Sequence, residues 1–335
     1  MLNIAPAMPE TDTAHPLELS VVIPVYNEED NVAPMIERVL FGLKDFDKPW
    51  ELILVNDGST DATLRNARAQ LDRSDLDLKI VDLQRNFGQS SAMQAGIDLA
   101  QGRLIATLDG DLQNDPADIP MMINELESRD LDLLSGWRKS RQDGLVLRLV
   151  PSWIANRLIG RVTGVKIHDY GCSLKIYRGE IIKQVRILGN MHRFIPAWVA
   201  SVVPQSRIGE VVVSHQARQH GVSKYGIGRT FRVILDLLAV LFFMRYRARP
   251  GHFFGSIGLA MGGLSALIFL WLFVVKFGFG EDIGTRPLLM IGVMLFLGSI
   301  QSITTGILAE IMLRSTQPGS ASVGYVARAV FKKDA

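Results

Sequence analysis

Arg103-Leu-Ile-Ala-Thr-Leu-Asp-Gly-Asp-Leu-Gln113 is an apolar run that ends on two carboxylates and an amide. The run is short and apolar on both faces, which suits a strand buried in a parallel sheet. Asp109, Asp111 and Gln113 fall where such a strand ends. Two carboxylates and an amide oxygen there suit a hard divalent cation, which in turn binds a diphosphate. A plain polar turn is the competing reading of the same three residues.

The theme repeats on both sides. Glu18 to Val25 (ELSVVIPV) reads as a buried strand, and the polar turn NEED (27–30) follows it. Val32, Met35, Ile36, Val39, Leu40 and Leu43 then recur at helical spacing, with Pro34 tolerated in the first turn. ELILVNDGS (51–59) gives strand and acidic turn again, with Ser59 or Thr60 as a helix cap. DLKIVDL (77–83) and DLLSGWR (132–138) supply further strands, and a helix is expected from Ser90 to Gln101. Strands alternating with helices predict an α/β fold with a mostly parallel sheet. Ligands of such sheets collect at the carboxyl ends of the strands, so the turns after Val25, Val55 and Leu108 share one edge. Asp57 at that edge either accepts hydrogen bonds from a base or ribose or caps a helix, and Gly58 lets the chain turn sharply. Tyr26, Asn27 and Glu28 follow the first strand in the same way. Asn86, Gly88 and Gln89 mark a turn before a helix whose N-terminus suits an anion.

Charge and hydropathy narrow the class. A net charge of +2 over 335 residues does not suit a general nucleic-acid binder. Cys172 is the single cysteine, which rules out an internal disulfide and a cysteine-rich zinc site. Residues 1–17 read as a loose tail without the apolar run of a signal peptide. Phe253 to Val275 and Leu288 to Ala309 contain no charged residue and are each long enough to span a bilayer, which takes about 20 helical residues. A pair of buried core helices is the alternative. Arg245, Arg247 and Arg249 precede the pair, and Arg314, Arg328, Lys332 and Lys333 follow it. By the positive-inside rule, the large N-terminal part and the C-terminus lie in the cytoplasm and the loop between the spans faces outward. Residues 145–168 carry Arg148, Arg157, Arg161 and Lys166 with no acidic residue before His168, among apolar neighbours. Residues 226–249 place arginines at both ends of an apolar middle. Both stretches read as interfacial helices on an anionic surface, or else as ordinary amphipathic helices.

IPVYNEEDN, LILVNDGSTDAT, LQRNFGQSSAMQAGI and TLDGDLQNDP resemble, in order and spacing, the family 2 glycosyltransferases. SGWRKSRQD, DYGCSLKIYR and QHGVSKYG resemble one branch of that family, the polyprenyl-phosphate glycosyltransferases. The resemblance covers roughly residues 19–237. It implies a GT-A, Rossmann-like catalytic domain over 18–225, a juxtamembrane helix over 226–249, a transmembrane hairpin over 250–314 and a cytoplasmic tail over 315–335. It also implies that Pro24, Tyr26, Glu28, Asp57 and Gly88 cradle the nucleotide. Asp109, Asp111 and Gln113 would hold Mg²⁺ or Mn²⁺. Arg138, Arg148 and Ser152 would bind the acceptor phosphate, and Arg218 and Lys224 would close a loop over the donor. Asp169 would lie near the sugar, as a base or as an orienting group, with His192 and Arg193 also near the donor sugar.

The implied reaction moves a sugar from a nucleotide-sugar, with UDP expected, to a polyprenyl phosphate such as undecaprenyl phosphate, with inversion. The sugar is left open among glucose, galacturonic acid, N-acetylglucosamine and 4-amino-arabinose types. The expected enzyme is a multi-pass protein of the inner membrane with its catalytic domain in the cytoplasm, assembled as a homo-oligomer such as a tetramer. Two alternatives stand beside it. One is a processive polysaccharide synthase, against which the sequence has no Gln-x-x-Arg-Trp motif and only two spans. The other is an inactive membrane scaffold, against which stand the intact Asp109, Asp111, Gln113 and Arg138.

Overall fold

The computed structural model describes residues 17–139, 160, 164–187, 191–216, 250–315 and 327–331. Arg148, Ser152, Arg218, Lys224 and the stretch 226–249 lie outside the described residues, as does most of 145–168. The chain divides into two compact units, one of residues 1–240 with 323–335 and one of residues 241–322.

The first unit is built on an eight-stranded sheet ordered β7-β5-β6-β4-β1-β2-β3-β8. The strands are β1 (Leu17–Val25), β2 (Trp50–Asn56), β3 (Leu78–Leu83), β4 (Gly102–Thr107), β5 (Leu133–Trp137), β6 (Lys175–Arg178), β7 (Ile208–Val212) and β8 (Ala327–Phe331). The apolar runs explain the centre: β1 is flanked by β2 and β4, both parallel to it, and its residues from Leu19 onward are all buried. Strands covered on both faces need no polar alternation, which is why these stretches read as continuous hydrophobic runs. Fully burying each Val, Leu or Ile here contributes about 1.5–3 kcal/mol.

Helices α1 (Val32–Gly42), α2 (Thr63–Arg68), α3 (Gln89–Leu99) and α4 (Ile119–Ser128) connect the parallel strands. The α1 residues expected to face inward do so, with Val32, Met35, Ile36 and Val39 buried. The cap of α2 differs from expectation. Asp61 accepts the Thr63 N–H at 3.0 Å, while Ser59 Oγ instead accepts the Asn27 N–H at 3.0 Å and ties the first two turns of the edge together. Helix α3 lies unusually close to the sheet. A Cβ on Gly96 would come within 2.3 Å of Val22 Cγ1 and 3.1 Å of Val55 Cγ2.

Three strands were not read from sequence. β6 runs antiparallel between β4 and β5, and β7 adds parallel to β5. β8, which follows the apolar helices, pairs antiparallel with β3 (Ile80↔Phe331, Asp82↔Ala329) and covers what would otherwise be an open edge. Part of the stretch read as a tail therefore belongs to the sheet.

The second unit is a pair of helices, α5 (Pro250–Gly278) and α6 (Pro287–Ser315), each of 29 residues. At 1.5 Å per residue each is about 43 Å long, enough to cross a bilayer with its headgroups. Their contact face is made by small residues and hydroxyls: Ser265 Oγ donates to the Gly292 carbonyl at 2.8 Å and Ser299 Oγ to the Gly258 carbonyl at 2.7 Å. Their outer faces expose Leu259, Leu267, Phe273, Phe277, Met290 and Met294. Only 17 % and 11 % of their most apolar windows is buried, the reverse of what two soluble core helices would show.

Gly96→Val is expected to lower stability by about 2 kcal/mol or more, because the valine cannot fit without separating α3 from β1 and β2. Thermal unfolding of the variant in detergent checks this, and an unchanged Tm would contradict the packing account.

Candidate active site

The five parallel strands β1 to β5 end on one edge, and β6, running the other way, begins there. The described residues that the sequence offered for the site lie at or beside that edge, and the Glu28 carboxylate bonds within its own turn. Glu28 Oε2 accepts from Asn31 Nδ2 at 2.5 Å, and its N–H donates to Thr63 Oγ1 at 2.8 Å. Pro24 is the penultimate residue of β1, and Tyr26 follows the strand directly. Asn27 takes a left-handed turn (φ 53°), and its Oδ1 accepts the Thr60 N–H at 2.9 Å.

Asp57 lies beyond the end of β2 and clamps the loop before α3. Its two oxygens accept the Phe87 N–H at 2.8 Å and the Gly88 N–H at 2.9 Å. Burial pushes its carboxyl above the ordinary value, and these two hydrogen bonds pull it back. Gly58 permits the arrangement. Its φ is +65°, and a Cβ there would lie 2.4 Å from the Arg85 carbonyl carbon. The clamp fixes where α3 starts, and the first side chain of that helix, Gln89, donates from Nε2 to Asp109 Oδ1 at 2.5 Å.

Asp109 and Asp111 stand just past β4. The Asp109 N–H donates to Ser173 Oγ at 3.3 Å, and Asp111 Oδ1 accepts the Gln113 N–H at 3.2 Å. Burial, and then the neighbouring Asp111 carboxylate, raise the Asp109 carboxyl to about 6. Ser173, Lys175 and Arg138 oppose the rise without cancelling it. Leu112, next after Asp111, is buried with φ 62°, and its carbonyl accepts from Arg38 Nη1 at 3.0 Å, which holds the turn to α1.

Arg138 follows β5, and Asp169 follows the segment that returns from residue 164. They form a forked, largely buried ion pair: Nε to Oδ2 at 2.8 Å and Nη2 to Oδ1 at 3.0 Å. Asp169 also accepts the Gly171 N–H at 3.1 Å. The pair keeps Arg138 charged in spite of its burial. The residues one position earlier meet as well, since Trp137 and His168 stack with ring centroids 4.4 Å apart. His168 in turn bonds Glu210 on β7. The last residue of β5 and the one after it thus grip two successive residues of the returning loop.

Four partners were not singled out as site residues from the sequence. Ser173 Oγ links the Asp109 N–H to Asn114 Nδ2 (2.7 Å), and Lys175 begins β6 with its side chain buried. Ser90 anchors the turn Met191–Phe194, accepting the His192 N–H at 3.1 Å and meeting His192 Nδ1 at 3.0 Å. Burial pulls the His192 imidazole down to about 3, so it is neutral. The polar residues Ser173 and Lys175 directly after DYGC were the available signal. Cys172 is buried with its thiol raised, a packed side chain and not a nucleophile.

Among the described residues no three His, Cys, Asp or Glu side chains gather to hold a metal. Two neighbouring carboxylates, of which burial and then Asp111 raise Asp109, still fit one. Mg²⁺ and Mn²⁺ at nucleotide sites take one or two protein carboxylates and fill the remaining positions with phosphate oxygens and water. Asp109, Asp111 and Gln113 are such an incomplete set.

A mostly parallel sheet, acidic turns on its carboxyl edge and a carboxylate pair facing a buried arginine define a nucleotide-sugar transferase of the GT-A type. The chain belongs to glycosyl transferase family 2, whose model matches residues 20–186. It is 65 % identical over 329 residues to the dodecaprenyl-phosphate galacturonate synthase of Rhizobium johnstonii, covering 98 % of this chain and 97 % of that protein. It is 34 % identical over 297 residues to the undecaprenyl-phosphate 4-deoxy-4-formamido-L-arabinose transferase of Pseudomonas fluorescens, covering 88 % and 85 %. Its fold matches glucosyl-3-phosphoglycerate synthase from Mycobacterium tuberculosis, solved with Mn²⁺, UDP and glucosyl-3-phosphoglycerate, with TM-score 0.52 at 17 % identity over 68 % of this chain and 80 % of that one.

With no divalent cation beside it, burial and then the Asp111 carboxylate push the Asp109 carboxyl up from 3.8 to about 6. The folded state then binds the proton more tightly than the unfolded chain does. The ionised carboxylate therefore reduces stability above about pH 6, and that loss is relieved as pH falls toward 4. A divalent cation competes with this proton. Mn²⁺ should raise Tm more at about pH 7.5 than at about pH 5.5; an equal rise at both would contradict the assignment.

Proposed function

We propose that the chain transfers galacturonic acid from UDP-galacturonate to a polyprenyl phosphate at the cytoplasmic face of a membrane, in a divalent-metal-dependent, inverting reaction. The observation that carries the reaction class is the carboxylate pair Asp109 and Asp111 on the same strand edge as Arg138, in a chain that also supplies two bilayer-length helices. The sugar rests on the near-full-length identity to the galacturonate synthase of Rhizobium johnstonii. The uridine nucleotide accords with the UDP bound by the mycobacterial neighbour.

The chemistry needs little from the protein beyond placement. A phosphate monoester has a second pKa of about 6, so the acceptor is already mostly a dianion near neutral pH. One of its oxygens bonds to the anomeric carbon while the bond from that carbon to the diphosphate oxygen breaks, and the electron pair leaves with UDP. Asp109, Asp111 and Gln113 would hold a divalent cation, which would supply positive charge to the leaving diphosphate. Arg138 presents a charged guanidinium toward the acceptor phosphate. Both Asp169 oxygens are committed to Arg138 and Gly171, which favours an orienting role over a base. Asp57 and the N-terminus of α3 shape the nucleotide side. Arg148, Ser152, Arg218 and Lys224 complete the proposal from the resemblance alone.

Connectivity supports a two-crossing topology. Strand β8 comes after α6 and pairs with β3, so the chain leaves the sheet, passes through both helices and returns to the same sheet. Two crossings satisfy this, with residues 279–286 on the far side. The flanking arginines favour a cytoplasmic sheet by the positive-inside rule. Assembly as an oligomer belongs to the same reading and is measured by light scattering in detergent.

The assay is transfer from a panel of UDP- and GDP-sugars to undecaprenyl or dodecaprenyl phosphate by purified protein in detergent, with Mn²⁺, Mg²⁺ or EDTA. UDP-galacturonate is expected to give a lipid-extractable product that EDTA abolishes. Asp111→Asn should cut turnover about a hundredfold or more while membrane insertion is retained. Arg138→Ala should raise KM for the lipid phosphate about tenfold or more with little change in UDP affinity. Equal losses on both substrates would remove Arg138 from the acceptor site.

A further inference from the structure

Lys175 is a buried cation that the reaction as described does not use. It opens β6 between Thr107 of β4 and Ser135 of β5, and it is 2 % exposed. Its ammonium donates to the Cys172 carbonyl, and among the described residues it has no carboxylate within salt-bridge distance. A buried ammonium held by one main-chain carbonyl is a costly choice for packing alone. An apolar side chain would fill a strand position in this core more cheaply. Burial pulls the pKa of Lys175 below the ordinary lysine value, the neighbouring Cys172, Asp169 and Asp109 pull it back up, and Arg138 adds to the fall, all of them groups of the site edge.

The charge balance there is specific. Asp109, Asp111 and Asp169 bring three negative charges, and Arg138 and Lys175 bring two positive ones. The cluster is therefore one unit negative without metal and one unit positive with a divalent cation in place. Removing Lys175 would make those two values minus two and zero. The site would then attract a bare cation more strongly and a loaded diphosphate less.

We propose that Lys175 is a positioning residue, a resident counter-cation that holds down the affinity of the carboxylate cluster for free metal and so makes metal binding depend on the donor diphosphate. It touches no substrate and acts through the carboxylates. The inference rests on the metal reading proposed above.

The sign of the effect separates this role from a structural one. Damage to the site weakens metal binding, whereas loss of the lysine's charge strengthens it. The experiment titrates Mn²⁺ by electron paramagnetic resonance into detergent-purified full-length protein, without and with UDP, for wild type, Lys175→Met, Lys175→Gln and Lys175→Arg. Lys175→Met and Lys175→Gln are expected to bind Mn²⁺ roughly fivefold or more tightly than wild type without UDP, and to gain less from UDP. Lys175→Arg, which keeps the charge, is expected to stay near wild type in both. Equal or weaker Mn²⁺ binding by a folded neutral variant would overturn the proposal. So would failure of both neutral variants to fold while Lys175→Arg folds, since the charge would then serve the fold. Wild-type protein that binds no Mn²⁺ even with UDP would instead sink the metal reading itself.

Discussion

The site depends on two carboxylates, Asp109 and Asp111, held close together at the buried end of one strand. A central strand, β4, is buried on both sides and delivers two carboxylates to a site where water screens them poorly, and the nearest cations reduce their repulsion without removing it. Such a pair is unfavourable on its own and becomes favourable with a divalent cation and a diphosphate. The surrounding structure keeps the pair from relaxing. Gln89 holds one carboxylate from the start of α3, Ser173 holds the backbone beneath it, and Arg38 holds the Leu112 carbonyl in the turn. Asp57 fixes α3 by its loop, so a clamp on β2 sets the position of a side chain on β4.

A second charged pair works differently. Arg138 and Asp169 neutralise each other within one fork, and the Trp137–His168 stack repeats the grip one residue earlier. This brings the loop that returns at residue 164 onto the end of β5, so that the Arg138 guanidinium has a fixed orientation. A truncated partner would leave a buried charge behind, a loss that commonly reaches about 3–5 kcal/mol. The apolar helices answer the other half of the problem. A polyprenyl chain stays in the bilayer, so its phosphate must be met at the interface, and an enzyme with two bilayer-length helices stays beside its substrate.

Much of this was readable in the sequence. β1 to β4 are mainly apolar runs followed by polar turns, and the parallel order follows from the helices between them. Two spans without charge announced the second unit, and the helices extend only a few residues past them. Shorter pairing partners were hidden. β6 is four residues, Lys-Ile-Tyr-Arg, with charges at both ends, and it becomes a strand because β4 and β5 leave a gap for it. β8 is five residues beyond the apolar helices, and nothing local connects Ala327–Phe331 with β3. The site was legible as a set of residues but not as a set of pairs. Asp169 and Arg138 both stood out, yet their mutual engagement spans 31 positions and has no periodicity to betray it. Lys175 looks like any surface lysine until the strand turns it inward.

The most direct test of the account is anomalous diffraction from crystals of the protein grown with Mn²⁺ and UDP. The account predicts one anomalous peak bonded to carboxylate oxygens of Asp109 or Asp111, or both, and to the UDP diphosphate, with the uridine on the Asp57 side. A peak elsewhere, or UDP bound at this edge with no metal between it and the two carboxylates, would contradict it.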